Sequence, residues 1–363
     1  MKKMKIAVVC NYRLLPDRVG GMDRFYWLFD QKCKQAGFEI QWFFPNKSDH
    51  GSYESLTIFA PESNEPLEHF FNRHIRENND KFDVVMTHFL ELCTSFFKKV
   101  KAHHASRTIA VDHNPRPLTG YPLKKRIVKK IKGLVFSKYT DLFIGVSEYT
   151  KFHIINDFGT GLKNKTIVIY NGILHELYSK RVGRNAKETN FLVASHLRFS
   201  KGIQDLISAI GMMPSEIKKK LKIDVYGQGD YKDELLRMIA KDNLQANFNF
   251  LGSVPNLYET YYKYDYLLQP THMECFSLSI LESLGANVPV ITTAVGGNEE
   301  VIKNGENGYI FKAKDVSALK NIVEKVYLGE MGIVADTSKL IEEQFSIEKM
   351  VNDYFQLLTN EKK

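Results

Sequence analysis

The chain has 363 residues, of which 44% are hydrophobic, 12% aromatic and 25% charged. This composition excludes a disordered protein, and the length suggests two domains that each bury a core. No run approaches the roughly 20 apolar residues of a transmembrane helix, and the short apolar run at 5–10 is better explained as a buried strand than as a signal peptide.

The spacing of the cysteines and the distribution of charge narrow the possible classes of protein further. Four cysteines lie far apart without CxxC spacing, which argues against a disulfide framework or a zinc site and favours a reducing, cytosolic location. The net charge of +8 is concentrated between Lys98 and Lys138, where one acid, Asp112, faces many lysines and arginines. A one-sided patch predicts an anionic partner, which is membrane lipid, a phosphorylated substrate or nucleic acid.

Short β-branched runs alternate along the chain with longer helical patterns. The predicted strands are 5–10, 38–44, 83–87, 107–111, 142–146 and 166–170 in the first half and 190–195, 222–227, 248–252, 266–270, 288–292 and 308–311 in the second. Such apolar strands suit parallel sheets with helical crossovers, so we predict two doubly wound α/β domains. The polar segment 172–188 marks their joint, and a ligand belongs at the carboxyl ends of the strands, in a cleft between the domains.

Two features of the first half follow strand ends. Gly20 and Gly21, in "RVGGMDRFYWLF", permit positive φ and close backbone approach before a helix, although a glycine pair is also common in ordinary turns. His113, in "AVDHNPRP", follows the strand at 107–111. A lone histidine is more often structural, but the position at a strand end favours a functional interpretation.

The basic stretch at 123–139 has apolar residues at helical spacing with lysines between them. This is the composition of a helix that lies on an anionic membrane, and the alternative is a core-facing helix with a solvated basic face. The candidate membrane contacts are Lys124, Lys125, Lys129, Lys130 and Lys132. Nucleic acid is a weaker hypothesis because no recognised binding module is present.

The segment "THMECFSLSILESLGANVPVITT" sets Glu274 and Glu282 eight positions apart around a helix start. Ser277 is a natural N-cap, and the free backbone N–H groups behind it favour a phosphate. Carboxylates accept hydrogen bonds from sugar hydroxyls, so one glutamate suits a ribose and the other a transferred sugar. Lys201 follows a strand and precedes a helix, where it supplies a point charge for a phosphate. For Glu274, Glu282 and Lys201 the alternative is a solvent-exposed position on the protein surface.

The E-x7-E pattern, together with "ASHLRFSKGIQDLISAI", resembles the retaining glycosyltransferases of family 4, which have the GT-B fold. The resemblance implies two Rossmann-like domains facing a cleft, at 1–175 (acceptor) and 176–345 (nucleotide-sugar), with a C-terminal helix at 346–363 returning to the first. By the same resemblance, Glu274 contacts the donor sugar, Glu282 the ribose and Lys201 the diphosphate.

The resemblance also assigns backbone and first-domain positions. The backbone of Phe276, Ser277 and Leu278 faces the sugar and phosphates, Val254 lies near the base, Gly20 and Gly21 near the diphosphate, and His113 near the donor sugar. The family has arginine where this chain has His196, so His196 or Arg198 is expected to supply that donor contact. It has glycine at Cys275 and Ser277, which makes the sugar preference less predictable.

The resemblance implies a retaining hexosyltransferase that uses a nucleotide-diphosphate sugar, with UDP as the expected nucleotide, and a glycan or lipid-linked acceptor in cell-surface polysaccharide synthesis. We expect a cytoplasmic enzyme on the inner face of the membrane, with no cofactor and no metal, because the sequence has no DxD motif. The alternatives are a GT-B sugar-nucleotide epimerase, a transferase with a soluble acceptor, and a non-catalytic nucleotide-sugar-binding protein.

Overall fold

The computed structural model describes residues 4–16, 19–104, 106–183 and 189–359. The chain forms two compact units. The first contains the chain up to Pro115, Thr119–Asn171 and the chain end from Glu348, and the second contains Arg116–Leu118 and Gly172–Ile347. The breaks after Asn171 and Ile347 lie near the boundaries expected at 175 and 345.

The first unit is a seven-stranded parallel sheet with the strand order β3-β2-β1-β4-β5-β6-β7. Its strands are β1 (Lys5–Cys10), β2 (Glu39–Phe43), β3 (Ile58–Phe59), β4 (Val84–His88), β5 (Arg107–Asp112), β6 (Leu142–Gly145) and β7 (Thr166–Val168). Its first five helices are α1 (Gly21–Gln35), α2 (Leu67–Glu77), α3 (Ser95–His103), α4 (Leu123–Phe136) and α5 (Glu148–Phe158). The central strands are buried along almost their whole length, as a sheet covered on both faces requires.

The second unit is a six-stranded parallel sheet with the order β10-β9-β8-β11-β12-β13. Its strands are β8 (Phe191–Ala194), β9 (Ile223–Tyr226), β10 (Phe248–Gly252), β11 (Tyr266–Gln269), β12 (Val290–Thr293) and β13 (Gly308–Phe311). Its helices are α6 (Ile203–Gly211), α7 (Ser215–Lys218), α8 (Lys232–Lys241), α9 (Leu278–Gly285), α10 (Asn298–Val301), α11 (Val316–Tyr327) and α12 (Ser338–Gln344).

The last helix, α13 (Ile347–Thr359), packs within the first unit. The buried ring of Tyr354 lies 4.9 Å from that of Phe25 on α1, measured between ring centroids. Arg107 on β5 donates a hydrogen bond to the carbonyl oxygen of Leu357. Aromatic packing and this bond to a carbonyl in the last turn hold α13 on the first unit.

The predicted α/β class with two doubly wound sheets is confirmed, and every predicted strand is present. The short strand β3 was not predicted. In each sheet the strand order reverses direction once, between β1 and β4 in the first unit and between β8 and β11 in the second. Open α/β sheets bind ligands outside the carboxyl ends of the strands at such switch points. We therefore expect ligand-binding residues in the loops that follow β1, β4, β8 and β11.

Candidate functional site

In the second unit, an ion pair joins the two loops at the switch point. Lys201 lies in the loop after β8 and Glu274 in the loop after β11, and Lys201 Nζ is 2.8 Å from Glu274 Oε2. Their side chains are only 21% and 12% exposed. The fold thus brings together two predicted site residues that lie 73 positions apart in the sequence.

Two glycines permit this close approach of the loops. Gly202, directly after Lys201, has φ +71°, and a Cβ there would lie 1.8 Å from the carbonyl oxygen of Pro270. Gly296 has φ +61°, and a Cβ there would lie 2.2 Å from the carbonyl oxygen of Glu274. Both positions combine a left-handed backbone with a space that excludes any side chain. The positions of Lys201 and Glu274 are therefore fixed by backbone packing.

Helix α9 begins beside this ion pair, and Ser277 is its N-cap as predicted. The Ser277 hydroxyl accepts from the backbone N–H of Ile280 at 3.4 Å and from the Gln269 side chain at 2.6 Å. Gln269 also donates to Ser279 at 2.9 Å. Because buried Gln269 holds the Ser277 hydroxyl within the protein, the helix start offers backbone N–H groups and its positive dipole end to an anion.

Glu282, on the same helix, has a buried partner. The hydroxyl of Tyr261, a fully buried residue, donates to Glu282 Oε2 at 2.8 Å. Burial, followed by the neighbouring Glu282 charge, raises the pKa of Tyr261 well above its usual range, so the phenol remains a donor. Tyr261 therefore fixes one oxygen of the Glu282 carboxylate.

The other predicted positions of this unit lie in the loops after β8, β10 and β11 and at the start of α9. His196 and Arg198 are exposed in the loop after β8, and Val254 is half-buried after β10. Phe276 is buried, with its ring 5.6 Å from that of Phe345. Leu278 is the first residue of α9. Because the Phe276 side chain packs inward, only the backbone at this position is available to a ligand.

The glycine pair of the first unit lies at the start of a helix. Gly20 has φ −115° and Gly21 is the first residue of α1, so the helix starts without the positive φ that the sequence permits at Gly20. Buried Asp23 accepts from the Gly20 N–H at 2.9 Å, from Tyr12 at 3.1 Å and from Tyr53 at 2.7 Å. An acid at this position in the first turn stabilises the helix start, because its carboxylate accepts from the Gly20 N–H.

His113 follows β5 and is bound to a second histidine. Its Nε2 lies 3.0 Å from Nδ1 of His88, the last residue of β4, and its ring stacks on Phe89 with centroids 4.2 Å apart. Burial lowers the pKa of His113 to about 4, although nearby Asp112 opposes the shift. Burial and the charge of His113 lower the pKa of His88 well below its usual range. Both rings are therefore neutral at physiological pH.

This pair predicts a loss of stability in mild acid. A folded-state pKa below the unfolded value of about 6.5 means that the unfolded chain binds more protons as pH falls through that value. As the pH falls from 7 to 5, His113 alone then lowers the free energy of unfolding by about 2 kcal/mol. Urea unfolding followed by tryptophan fluorescence reports on the first unit, since both tryptophans, Trp27 and Trp42, lie there. His113→Asn should show a smaller loss than wild type, and an equal loss in both proteins would contradict the assignment.

Helix α4 packs on the first unit through its basic side. Lys129 Nζ lies 3.0 Å from Asp157 Oδ2, with side chains 12% and 8% exposed, and Lys132 pairs with Glu91 at 2.6 Å. A Cβ on Gly133 would lie 1.8 Å from a carbonyl oxygen at the end of α5, so the two helices touch there. Lys129 and Lys132, two predicted membrane contacts, therefore form ion pairs within the protein.

The apolar side of α4 faces solvent. Leu134 is 82% exposed and Ile131 53% exposed, and Phe152 on neighbouring α5 is 63% exposed. The remaining exposed apolar residues of α4 are Leu123, Ile127, Val128 and Val135. The alternative of a core-facing helix is therefore wrong. We call Leu123, Ile127, Val128, Ile131, Leu134, Val135 and Phe152 the apolar face; contiguous patches of this kind mark interaction surfaces.

Within the described residues, no helix is long and apolar enough to cross a bilayer. Among the same residues, no group of three or more His, Cys, Asp or Glu side chains could hold a metal ion.

Two residues that contact predicted site residues were not indicated by the sequence analysis. They are Tyr261, which contacts Glu282, and His88, which contacts His113. Tyr261 lies in the tyrosine-rich segment "YETYYKYDY", which has no spacing signal. His88 directly follows the strand predicted at 83–87, so the strand-end criterion applied to His113 would have found it.

Both units match family models of known proteins. Residues 175–345 match the family model of glycosyl transferases group 1, and residues 19–177 match that of glycosyltransferase family 4. The chain is 30% identical over 205 residues to the N-acetyl-alpha-D-glucosaminyl L-malate synthase of Bacillus anthracis, covering 53% of each protein. It is also 30% identical over 247 residues to an uncharacterized glycosyltransferase of Methanocaldococcus jannaschii, covering 65% of this chain and 66% of that protein. The alignments thus span about half to two thirds of these relatives.

Among solved structures, the chain is similar to HepE of Anabaena, crystallised in complex with UDP and glucose. The TM-score is 0.77 at 16% identity, covering 99% of this chain and 100% of that one. At this identity the similarity shows the fold, which is the predicted GT-B fold.

Proposed function

Because this chain belongs to glycosyltransferase family 4, we propose that it transfers a hexose-type sugar from a nucleotide-diphosphate donor, with UDP as the nucleotide, to a hydroxyl of a glycan or lipid-linked acceptor. The complex of the structurally similar HepE with UDP and glucose supports this choice of donor. Cell-surface polysaccharide synthesis is the process that such an acceptor would serve.

The observation that carries the proposal is the Lys201–Glu274 pair beside the start of α9. A cation, a helix N-terminus and a carboxylate within one switch point suit a diphosphate that carries a hydroxyl-rich group. Glu274 would hold the transferred sugar, Lys201 and the α9 N–H groups the diphosphate, and Glu282 the ribose. His196, Arg198 and Val254, in the loops after β8 and β10, would complete the donor contacts.

The proposed reaction retains the configuration at the sugar. The bond from the anomeric carbon to the diphosphate oxygen breaks while the acceptor oxygen bonds to that carbon on the same face. The acceptor proton passes to the leaving phosphate oxygen. Lys201 and the helix start stabilise the negative charge that develops on the diphosphate, and this stabilisation lowers the barrier.

A panel of UDP- and GDP-sugars tests the proposal. Nucleotide release should occur with one or a few donors and rise when membrane extract supplies an acceptor. Proton NMR of the product gives the anomeric configuration, and inversion would contradict the retaining mechanism. An interconverted sugar nucleotide would indicate an epimerase, transfer without lipid would indicate a soluble acceptor, and tight UDP binding without turnover would indicate a binding protein.

Turnover should not depend on a divalent metal or another cofactor. The positive charge that the leaving diphosphate needs is supplied by Lys201 and the start of α9. Treatment with EDTA should therefore change nucleotide release by less than about twofold, since no metal charge is lost from the diphosphate site. A loss that added Mg²⁺ or Mn²⁺ restores would contradict this expectation.

We further propose that the apolar face of α4 docks on the cytoplasmic leaflet of a membrane. Exposed Lys124, Lys125, Arg126 and Lys130 accompany the exposed apolar residues of the helix. A helix that presents apolar and basic residues together suits an anionic bilayer, which attracts the lysines and receives the apolar side chains. This location would bring the enzyme to a lipid-linked acceptor.

Liposome flotation tests the docking. Binding to vesicles with anionic lipid should exceed binding to neutral vesicles and should decrease with salt. Equal binding to both, or a concentration-dependent dimer that hides the apolar face, would contradict it.

A further inference from the structure

His88 occupies the switch point of the first sheet. It ends β4, which lies beside β1 where the strand order reverses. Its side chain is fully buried, and the rings of Phe25, Tyr26 and Tyr354 surround it with centroids 5.9, 6.1 and 5.8 Å away. A buried imidazole in an aromatic pocket is expensive unless its nitrogens serve a purpose.

The hydrogen bond to His113 allows two proton arrangements. In one, His88 Nδ1–H donates to His113 Nε2, so that His113 carries its own proton on Nδ1. In the other, His113 Nε2–H donates to His88 Nδ1, so that His88 carries its proton on Nε2. The two arrangements differ in which nitrogen of His113 is a donor.

The surroundings of His88 Nε2 decide between them. This atom is buried and has no hydrogen-bond partner among the residues that the structure describes. The second arrangement would leave an N–H donor unpaired there, whereas the first leaves only a lone pair. Buried N–H groups without a partner are the rarer and more costly case. The first arrangement, with the His113 proton on Nδ1, is therefore favoured.

We propose that His88 is a positioning residue that holds the His113 ring in place and fixes its Nδ1-protonated tautomer. The stacked Phe89 restrains the ring plane, and the bond from His88 restrains its rotation. The role of His113 at the donor sugar is the one that the family resemblance implies, and it rests on the proposed function. Given that role, His113 acts as a hydrogen-bond donor through Nδ1, since Nε2 already accepts from His88.

Three variants separate this role from simple packing. His88→Leu keeps an apolar side chain but removes the bond, and His88→Asn returns an amide near the Nδ1 position. Phe25→Leu disturbs the same pocket and leaves the two imidazoles unchanged. Two readouts apply to each protein: two-bond proton–nitrogen correlation spectra of ¹⁵N-histidine-labelled protein, with His113 assigned from His113→Asn, and kcat and KM for nucleotide release.

The wild-type spectrum should show His113 as the neutral Nδ1-protonated form. His88→Leu should give a mixed or Nε2-protonated His113 and lower kcat on the order of 10-fold, since the buried His113 Nε2 loses the hydrogen bond from His88. His88→Asn should restore most of the Nδ1-protonated His113 population and most of kcat. Phe25→Leu should lower the melting temperature but keep the tautomer and kcat.

Two results would overturn the inference: an Nε2-protonated His113 in the wild type, or a His88→Leu protein with an unchanged tautomer and unchanged kcat. If no nucleotide sugar is turned over by the wild type, the proposed function fails, and the spectra alone still decide whether His88 fixes the tautomer.

Discussion

Replacing Lys201 by alanine should lower kcat for nucleotide release by about 100- to 1,000-fold, the loss expected when a preorganised group that stabilises transition-state charge is removed. The protein should stay folded, because Lys201 lies in a loop and outside the hydrophobic core. Lys201→Arg should recover only part of the activity, since a planar guanidinium does not place its charge as an ammonium does.

Glu274→Ala should separate turnover from nucleotide affinity. In the ligand-free chain Glu274 neutralises Lys201, so a diphosphate must compete with this carboxylate. Removing Glu274 should therefore strengthen the binding of UDP, which has no sugar, by several-fold through the released lysine charge. Turnover of the nucleotide sugar should nevertheless fall at least as far as in Lys201→Ala, because the sugar loses its anchor.

Isothermal calorimetry with UDP and single-turnover kinetics measure the two quantities. Lys241→Ala is a matched control, because this exposed lysine ends α8 and lies away from the loops after β8 and β11. If Glu274→Ala weakens UDP binding, or if Lys201→Ala turns over the donor like Lys241→Ala, the assigned roles are wrong.

The double substitution Ile131→Asp and Leu134→Asp should reduce binding to anionic vesicles by about 100-fold, at about 10-fold for each large apolar side chain that no longer enters the lipid. An aspartate in a protein core is normally severe, but both side chains are exposed, so the melting temperature should change little. This combination of intact stability and lost binding distinguishes a docking face from a packed helix.

Substitutions on the two sides of α4 should have opposite consequences. Lys129→Ala should lower stability by about 1–3 kcal/mol, because buried Asp157 loses this ion pair, while vesicle binding should change less than in the aspartate double variant. Vesicle flotation and thermal unfolding measure both effects. If the aspartate double variant still floats with anionic vesicles, lipid docking through this face is excluded.

The sheets of both units could be predicted from the sequence because buried parallel strands leave continuous apolar runs. Strand β3 was missed because Ile58–Phe59 is too short to give such a signal. The backbone conformation of the glycine pair at Gly20 could not be predicted either. Glycine permits positive φ, but the sequence does not show whether the chain uses it.

Pairings across the fold were harder to predict. The strand-end positions of Lys201 and Glu274 predicted a shared region, but their direct ion pair depends on how Gly202 and Gly296 let the loops meet. Helix α4 shows a further limit. Apolar periodicity located its apolar side correctly, yet periodicity carries no information on what covers that side, and the structure leaves it to solvent.

The most direct test of the donor site is transfer of a radiolabelled sugar. The protein is incubated with UDP-sugars labelled in the sugar, together with membrane extract, and the label is followed into the lipid and glycan fractions. Wild type should move the label from one of these donors to the acceptor fraction, and Lys201→Ala and Glu274→Ala should leave it on the nucleotide. Label that reaches the acceptor equally well in these variants, or stays on every UDP-sugar with the wild type, would contradict the proposed function.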